Sequence, residues 1–105
     1  MNAMNPYAVP GVVSCKKPAD VVKLVEEAFD VSLEQIKSKA RHNHIRVPRQ
    51  VLAFLLVRYG LTTSKAGFII NRDHATVIHS VKVVEDTIDT DEDFKKLIEK
   101  LKIRL

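Results

Sequence analysis

One stretch of the chain, residues 71–82, combines residue types that can contact nucleic-acid bases with the signals of a turn and a helix start. Its sequence is N-R-D-H-A-T-V-I-H-S-V-K. Asn71 tolerates a left-handed turn conformation, and Asp73 can accept hydrogen bonds from the free N–H groups of a first helical turn. A helix is therefore predicted to begin near His74.

The predicted helix has two different sides. Apolar residues recur on one side at steps of four, three and four positions, which is typical of a buried stripe: Val77, Val81, Val84 and Ile88. The other side carries short, polar or cationic residues: Arg72, His74, Ala75, His79 and Lys82. Helix-turn-helix proteins insert the N-terminal part of their recognition helix into the major groove of DNA. The stretch therefore predicts such a recognition helix.

Other chemistry is open to these side chains, but their spacing disfavours it. Asp73 could be a general base, yet a capping aspartate is the simpler account and still permits contact with a cytosine amino group. His74 and His79 lie about 140° apart around a helix, which does not suit one metal ion. His42 and His44 have no cysteine or carboxylate beside them. No catalytic constellation is recognisable, so we predict a non-enzymatic chain that binds no metal or cofactor.

Composition limits the class of protein. The 105 residues, 46% of them hydrophobic, suffice for one domain with a core and not for two. The single cysteine, Cys15, excludes an internal disulfide and a multi-cysteine zinc site. No apolar run approaches the roughly 18 residues of a membrane helix, and the N-terminus lacks an apolar signal core. These features predict a soluble, cytoplasmic protein, associated with the nucleoid if it binds DNA.

Charge is segregated along the chain. The formal net charge is +4, but residues 32–82 contain nine lysines and arginines against two acids, which is +7 for that segment. The remaining residues therefore sum to −3. Such clustering favours a polyanionic partner. An ordinary solvated charged surface is the alternative interpretation of the same pattern.

The N-terminal half is predicted to form an arm and two helices. Residues 1–18 hold three of the four prolines and show no apolar period, so we expect an irregular arm before a helical domain at 19–105. A first helix is predicted from Ala19 to Phe29 by its apolar spacing. Ser32 followed by Gln35 has the pattern of a capping box and predicts a short second helix that ends near Ser38.

Residues 37–46 contain four lysines and arginines and two histidines, so we expect an exposed basic segment that can lie along phosphates or enter a minor groove. Pro48 suits the first turn of the next helix, whose apolar body runs to a stop signal at Gly60. This helix should form the centre of the core. Arg49 and Gln50, placed in its first turn, could meet a phosphate together with free backbone N–H groups.

Two more helices complete the predicted all-α domain. Thr62, Thr63 and Ser64 are alternative caps for a helix that ends at Ile70, and Gly67 inside it suggests close packing against the following helix. A final helix is predicted from about Asp91 to Arg104, with Thr90 as its cap and Asp93 three positions later. Its buried residues should be Phe94, Leu97, Ile98, Leu101 and Leu105.

Three of these elements together carry a resemblance. The run V-P-R-Q at residues 47–50, the pair Ala66-Gly67 and R-D-H-A-T-V at residues 72–77 resemble the C-terminal DNA-binding domain of the bacterial replication initiator DnaA. The resemblance extends from about Val21 to the end of the chain. It implies a compact all-α, Trp-repressor-like fold with a helix-turn-helix, and binding of a short asymmetric duplex site, the DnaA box.

The resemblance also implies roles for particular residues. Base contacts are expected from Asp73, His74 and Ala75 in the major groove and from Arg41 in the minor groove, with Thr76 at the adjacent backbone or a thymine methyl. Phosphate contacts are expected from four matching positions, and from three more by their charge: Arg49, Gln50, Lys65 and Arg72, then Lys39, Arg46 and Lys82. Two positions depart from the family. Ala75 replaces a common threonine, which exchanges a hydroxyl for a methyl contact, and Asn71 stands where many members have two glycines.

The chain lacks the initiator's ATPase signature. Glycine occurs only at positions 11, 60 and 67, so no glycine-rich phosphate loop followed by lysine is present and no nucleotide is expected to bind. An excised domain and a natural stand-alone protein remain alternatives, and the initial Met favours the second. The partners expected are double-stranded DNA and, beyond it, replication proteins or a host initiator. The rival function is a protein-interaction module or a transcriptional regulator without DnaA-box specificity.

Overall fold

A computed structural model describes residues 17–105 and confirms the predicted all-α class. The described chain forms six helices in the order α1 Pro18–Phe29, α2 Leu33–Lys37, α3 Asn43–Arg58, α4 Thr63–Ile70, α5 His74–Thr90 and α6 Glu92–Ile103. The predicted irregular arm at residues 1–18 lies, apart from its last two residues, outside the described part. Within residues 17–105, no helix has both the length and the apolar character that crossing a membrane requires.

The third helix is the centre of the core, as predicted. Every residue from 51 to 56 is buried, and α3 packs against α1, α2, α4 and α5. A helix that is apolar on all sides is stable only when other helices enclose it. The chain leaves α3 through Gly60, which has a φ of 112° that glycine adopts without strain. Helices α4 and α5 are therefore built directly on the most buried part of the molecule.

The start of α3 corrects the prediction. The helix begins at Asn43, so Pro48 lies in its second turn. The segment between α2 and α3 is therefore shorter than predicted: it spans residues 38–42 and not 37–46, and is called here the α2–α3 loop. Proline inside a helix removes one backbone hydrogen bond and restricts the residue before it. The burial of Ile45, which is 2% exposed, and of Pro48 itself offsets that loss. In the sequence, the apolar residue Ile45 is the feature that indicates the earlier start of α3.

Side-chain caps fix the starts of α2 and α4. The capping box of α2 is confirmed, since the Gln35 N–H donates to Ser32 Oγ at 3.1 Å and the Ser32 N–H donates to Gln35 Oε1 at 2.9 Å. Of the alternative caps of α4, Thr62 is the one used, because its hydroxyl oxygen accepts from the Lys65 N–H at 3.1 Å. Each cap satisfies an N–H group that has no partner within its helix.

The predicted cap of α6 is wrong. Asp91, not Thr90, accepts the Phe94 N–H, at 3.1 Å, and Thr90 is the last residue of α5. The Thr90 hydroxyl instead donates to the carbonyl of Asp86 at 3.1 Å. Because α5 continues one residue further than the pattern suggested, the extended backbone that a cap requires is adopted by Asp91.

Gly67 brings α4 into close contact with the turn that follows it, as its position suggested. A Cβ atom at this position would lie closer than 3.0 Å to the carbonyl oxygen of Arg72, which is backbone and cannot rotate away. The Arg72 N–H also donates to the Gly67 carbonyl at 2.8 Å. The absence of a side chain at Gly67 therefore sets the distance between α4 and the start of α5.

We expect Gly67→Ala to lower the free energy of unfolding by about 1–3 kcal/mol, because overpacking against fixed backbone outweighs the better helix propensity of alanine. Urea denaturation measures the change. Ser64→Ala, on an exposed position of the same helix, is the matched control and should show no loss. A Gly67→Ala variant as stable as the parent protein would contradict the close approach.

Candidate nucleic-acid interface

Helices α4 and α5, with the turn at residues 71–73, form a helix-turn-helix. Asn71 adopts the predicted left-handed conformation, with φ 60° and ψ 48°, and ends α4. Asp73 then caps α5, because its Oδ1 accepts from the Thr76 N–H at 2.8 Å. The predicted helix start at His74 is confirmed. Both features follow from local side-chain chemistry, which is why the sequence alone could locate them.

The cap also perturbs the titration of Asp73. The hydrogen bond from the Thr76 N–H, and after it the Thr76 side chain, hold the pKa of the exposed Asp73 carboxyl below its usual range. The folded state therefore binds this proton less tightly than the unfolded state. The contribution of the ionised cap to stability is present above the unfolded pKa, near 3.9, and is lost as pH falls through the lower folded pKa.

We expect the stability difference between the parent protein and Asp73→Asn to shrink as the pH is lowered from 7 to about 3. Asparagine keeps an acceptor for the Thr76 N–H but cannot titrate. Urea unfolding at several pH values measures this, with Asp89→Asn on an exposed position of α5 as control. Parallel pH profiles for the parent and Asp73→Asn would contradict a titrating cap.

The outward side of α5 is exposed as predicted. His74, Ala75, His79 and Lys82 are all exposed, and Thr76 and Arg72 are half-buried. At about 100° per residue, Ala75, His79 and Lys82 lie within roughly 60° of one another around the helix. The opposite side packs inward, with Val77 and Val84 fully buried and Val81 and Ile88 half-buried against the core.

A second basic element, the α2–α3 loop, lies beside the turn of the helix-turn-helix. Three consecutive carbonyls at the end of α2 accept hydrogen bonds from side chains of α3 and of the turn: Ile36, Lys37 and Ser38. Arg49 Nε donates to the Ile36 carbonyl at 2.7 Å, and Arg72 Nη2 donates to the Ser38 carbonyl at 2.6 Å. The exposed Lys39 and Arg41 follow directly in the loop.

Arg49 does not lie where the sequence suggested. It is in the second turn of α3 and not the first, so its backbone N–H is not one of the free groups at the helix start. Its side chain is only 6% exposed, and burial, followed by the nearby Arg72 charge, lowers the pKa of its guanidinium. Gln50 is likewise in the second turn and half-buried. The phosphate contacts of Arg49 and Gln50 stay predictions, but the free N–H groups at the helix start no longer support them.

Three surface depressions join the loop to the helix-turn-helix. One is lined by Lys39, Arg41, Arg49, Asn71 and Arg72. A second shares Asn71 and Arg72 with the first and adds Lys37, Gly67, Phe68 and Asp73. A third shares Phe68 with the second and reaches Lys65. The three depressions together are called here the groove. The first two adjoin at Asn71 and Arg72, while the third shares only Phe68 with them. The first two carry five lysines and arginines against one acid, Asp73.

Not all predicted site residues line this groove. Six of them do and six do not: Lys65, Arg41, Lys39, Arg49, Arg72 and Asp73 line it, whereas His74, Ala75, Thr76, Arg46, Gln50 and Lys82 lie outside it. Arg46 is exposed on the first turn of α3 and hydrogen-bonds to the side chain of Asn43. Lys82 is exposed two turns further along α5 than His74. The structure thus places Asp73, the cap of α5, in the same groove as the α2–α3 loop, and leaves the other predicted base-contact residues of α5 next to this groove and not in it.

Some residues of this surface were missed by sequence reasoning. Ile78 is 54% exposed on the outward side of α5, next to Ala75 and Lys82, and Phe68 is 86% exposed on α4. The signal for Ile78 was its position off the apolar stripe of α5. Asn71 was assigned only a turn, yet its side-chain Nδ2 also donates to the Lys37 carbonyl at 3.4 Å.

Alternative chemistry gains no support in the described part of the chain. Among residues 17–105, no three side chains of His, Cys, Asp or Glu come together in a way that could hold a metal ion. The rings of His42 and His44 stack on each other, with centroids 4.1 Å apart. The two histidines are therefore engaged in a ring contact at the start of α3.

Comparison with known proteins agrees with the resemblance. The family model described as the bacterial dnaA protein helix-turn-helix matches residues 18–84. A chromosomal replication initiator protein DnaA of Flavobacterium psychrophilum is 34% identical over 87 residues, 81% of this chain and 18% of that protein. The protein of the same name from Bacteroides thetaiotaomicron is 34% identical over 101 residues, 90% of this chain and 22% of that protein.

A relative from a third organism is similar to the same extent. The chromosomal replication initiator protein DnaA of Caldanaerobacter subterraneus is 33% identical over 104 residues, 94% of this chain and 24% of that protein. The chain thus spans about a fifth to a quarter of the length of these relatives. The matches to the second and third of these relatives cover 90% and 94% of this chain.

Proposed function

The chain belongs to the bacterial DnaA helix-turn-helix family, and on that premise we propose that it binds double-stranded DNA at a DnaA-box-like site. Family membership supports DNA binding in replication initiation, and the groove supports a duplex as the ligand. Whether the chain helps to start replication, competes with a separate initiator or regulates it would follow from which sites it occupies. ATP binding has no place in this function, because the chain contains no phosphate-binding loop motif.

The cationic part of the groove is the observation that carries the proposal. It extends from Lys37 through Arg72 to Arg41 and lies beside the exposed N-terminal end of α5. A duplex offers a helix its major groove and offers neighbouring cations two rows of phosphates. The groove and the start of α5 meet at residues 71–73, so one duplex can contact both at the same time.

Base recognition is assigned to two elements. In the major groove, His74, Asp73 and Thr76 would supply hydrogen bonds and Ala75 a methyl contact. Arg41 in the exposed α2–α3 loop would enter the adjacent minor groove, where it distinguishes A·T from G·C pairs. Ala75 makes the chain differ from relatives that have threonine there, so its preference among bases is expected to be its own.

Phosphate contacts are assigned to the cations around this surface. Four of them are exposed: Lys39, Arg46, Lys65 and Lys82. Arg49 and Arg72 line the groove with guanidinium groups that also donate to protein carbonyls, and Gln50 adds a neutral donor. These contacts fix the register of the duplex and carry no sequence information.

Fluorescence anisotropy with two labelled duplexes tests the function. One duplex carries a DnaA box, and the other is a scrambled sequence of the same composition, each titrated at two salt concentrations. The box duplex is expected to bind tighter by on the order of 10³, since each mismatched pair costs about 1–3 kcal/mol. Equal affinities would refute DnaA-box specificity, and absence of binding to both duplexes would refute DNA binding.

One observation favours a second function. Phe68 is 86% exposed and lines an apolar part of the groove with Pro18, Leu61 and Ile69. Such a patch is typical of a protein-interaction surface. A chain that used only this patch would show no salt-dependent binding to either duplex, so the same titration separates the two functions.

A further inference from the structure

The end of α2 is held by two guanidinium groups from elsewhere in the chain. Arg49, thirteen positions away on α3, donates from Nε to the Ile36 carbonyl at 2.7 Å and from Nη2 to the Ser38 carbonyl at 3.0 Å. Arg72, in the turn of the helix-turn-helix, donates from Nη2 to the same Ser38 carbonyl at 2.6 Å and from Nη1 to the Lys37 carbonyl at 3.4 Å. Ser38 is thus fixed from two sides.

The arrangement places two like charges together. Arg49 and Arg72 converge on one carbonyl, and the hydrogen bonds that reach across from them go to backbone oxygens, not to carboxylates. The one ion pair in the described part of the chain, Arg104 with Glu27, lies elsewhere. Free carbonyls at a helix end attract cations. Helix α2 has only five residues, however, and a single arginine would satisfy its carbonyls without the repulsion between two like charges.

Fixing the Ser38 carbonyl has a direct consequence for the loop. The carbonyl belongs to the planar peptide that joins Ser38 to Lys39, so the backbone direction at Lys39 is set by the two arginines. Only three residues separate Lys39 from the start of α3, and Arg41 is one of them. Lys39, Arg41, Arg49 and Arg72 line one depression, so the clamp and the side chains that it directs are adjacent.

We propose that Arg49 and Arg72 are positioning residues, which tie the α2–α3 loop to the turn before α5 and so fix the spacing between minor-groove and major-groove contacts. The proposal rests on the proposed function and deepens it. Arg49 acts on DNA chiefly through Lys39 and Arg41, and the two base-recognising elements behave as one unit because both are bonded to the same turn.

The fork of the arginine side chain is essential to this role. Arg49 reaches the Ile36 and Ser38 carbonyls with two different nitrogens, which lysine, with one ammonium, cannot do in the same geometry. A phosphate contact that depends on charge alone would tolerate lysine. Arg49→Lys therefore separates positioning from direct charge contact, because it keeps the charge and loses the fork.

The first test uses the protein without DNA. The loop contains two trypsin sites, Lys39 and Arg41, and Arg49→Lys neither adds nor removes a site. We expect cleavage in the loop, identified by mass spectrometry, to become about tenfold faster in Arg49→Lys, since charge-assisted hydrogen bonds hold the loop closed. Arg58→Lys, on the exposed end of the same helix, is the matched control and should cleave at the parental rate. Unchanged cleavage in Arg49→Lys would overturn the positioning role.

The second test measures coupling on DNA. Salt titrations should show that Arg49→Lys makes the slope of log K against log salt shallower by about 0.9, the loss of the Lys39 phosphate contact. Arg41→Ala should then weaken binding in the parent but have little further effect in Arg49→Lys. A parental slope in Arg49→Lys, or additive effects of the two changes, would overturn the proposal.

Two provisions keep the tests decisive. If Arg49→Lys does not fold, Arg72→Lys removes the fork from the other side of the Ser38 carbonyl, at a half-buried residue, and is expected to give the same faster cleavage. If the parent protein binds no duplex, the proposed function fails, while the trypsin test still decides whether the arginines hold the loop.

Discussion

Raising the salt concentration from about 50 to about 200 mM is expected to weaken duplex binding by about 150-fold if four phosphates are neutralised, and by about 2,000-fold if six are. The lower figure follows from the four exposed cations Lys39, Arg46, Lys65 and Lys82, and the higher one includes Arg49 and Arg72. Each neutralised phosphate releases counterions and adds about −0.9 to the slope of log K against log salt. Anisotropy titrations at five or six salt concentrations measure the slope.

Two variants show whether this slope belongs to the groove. Lys65→Ala should make it shallower by about 0.9 and should weaken box and scrambled duplexes alike, because a phosphate contact is independent of sequence. Lys95→Ala, on an exposed position of α6 that lies outside all three depressions of the groove, should leave the slope unchanged. A parental slope shallower than about −1 would show that the cationic groove does not face a duplex.

His74→Ala is expected to reduce the preference for a box over a scrambled duplex by about 5-fold to 150-fold, equivalent to about 1–3 kcal/mol for a specific base contact. Its imidazole is exposed in the first turn of α5, immediately after the Asp73 cap. Affinity for the scrambled duplex should hardly change, since phosphate contacts dominate non-specific binding. Parallel anisotropy titrations of the two duplexes give the ratio.

The comparison with Lys65→Ala makes the His74 result interpretable. Lys65→Ala should lower both affinities and keep their ratio, whereas His74→Ala should lower the ratio and keep the affinity for the scrambled duplex. If both variants lose the same proportion of specificity, the division between base contacts on α5 and phosphate contacts around it is incorrect. Circular dichroism of both variants controls for loss of the helices.

The sequence by itself determined those features that depend on neighbouring residues. Asn71 at the turn, Asp73 as the cap of α5 and the Ser32–Gln35 capping box were all found from side-chain chemistry within three or four positions. The apolar period of α5 likewise located its buried side. Such signals are local, because a cap or an apolar stripe acts within one or two helical turns.

The tertiary structure alone decided the start of α3 and the surroundings of Arg49. Helix α3 extends back to Asn43 because Ile45 finds a place in a core contributed by other helices, which local propensity does not reveal. Arg49 was predicted as an open phosphate contact but is buried against carbonyls of α2.

The joining of the α2–α3 loop to the helix-turn-helix was equally beyond the sequence. It depends on hydrogen bonds between Arg72 and Ser38, 34 positions apart, and on the packing of α2 against α3 and α4. Residue types and spacing showed which side chains could contact DNA. Only the packing of distant helices decides which of them share one groove, because a hydrogen bond forms between whichever donors and acceptors the fold brings within reach.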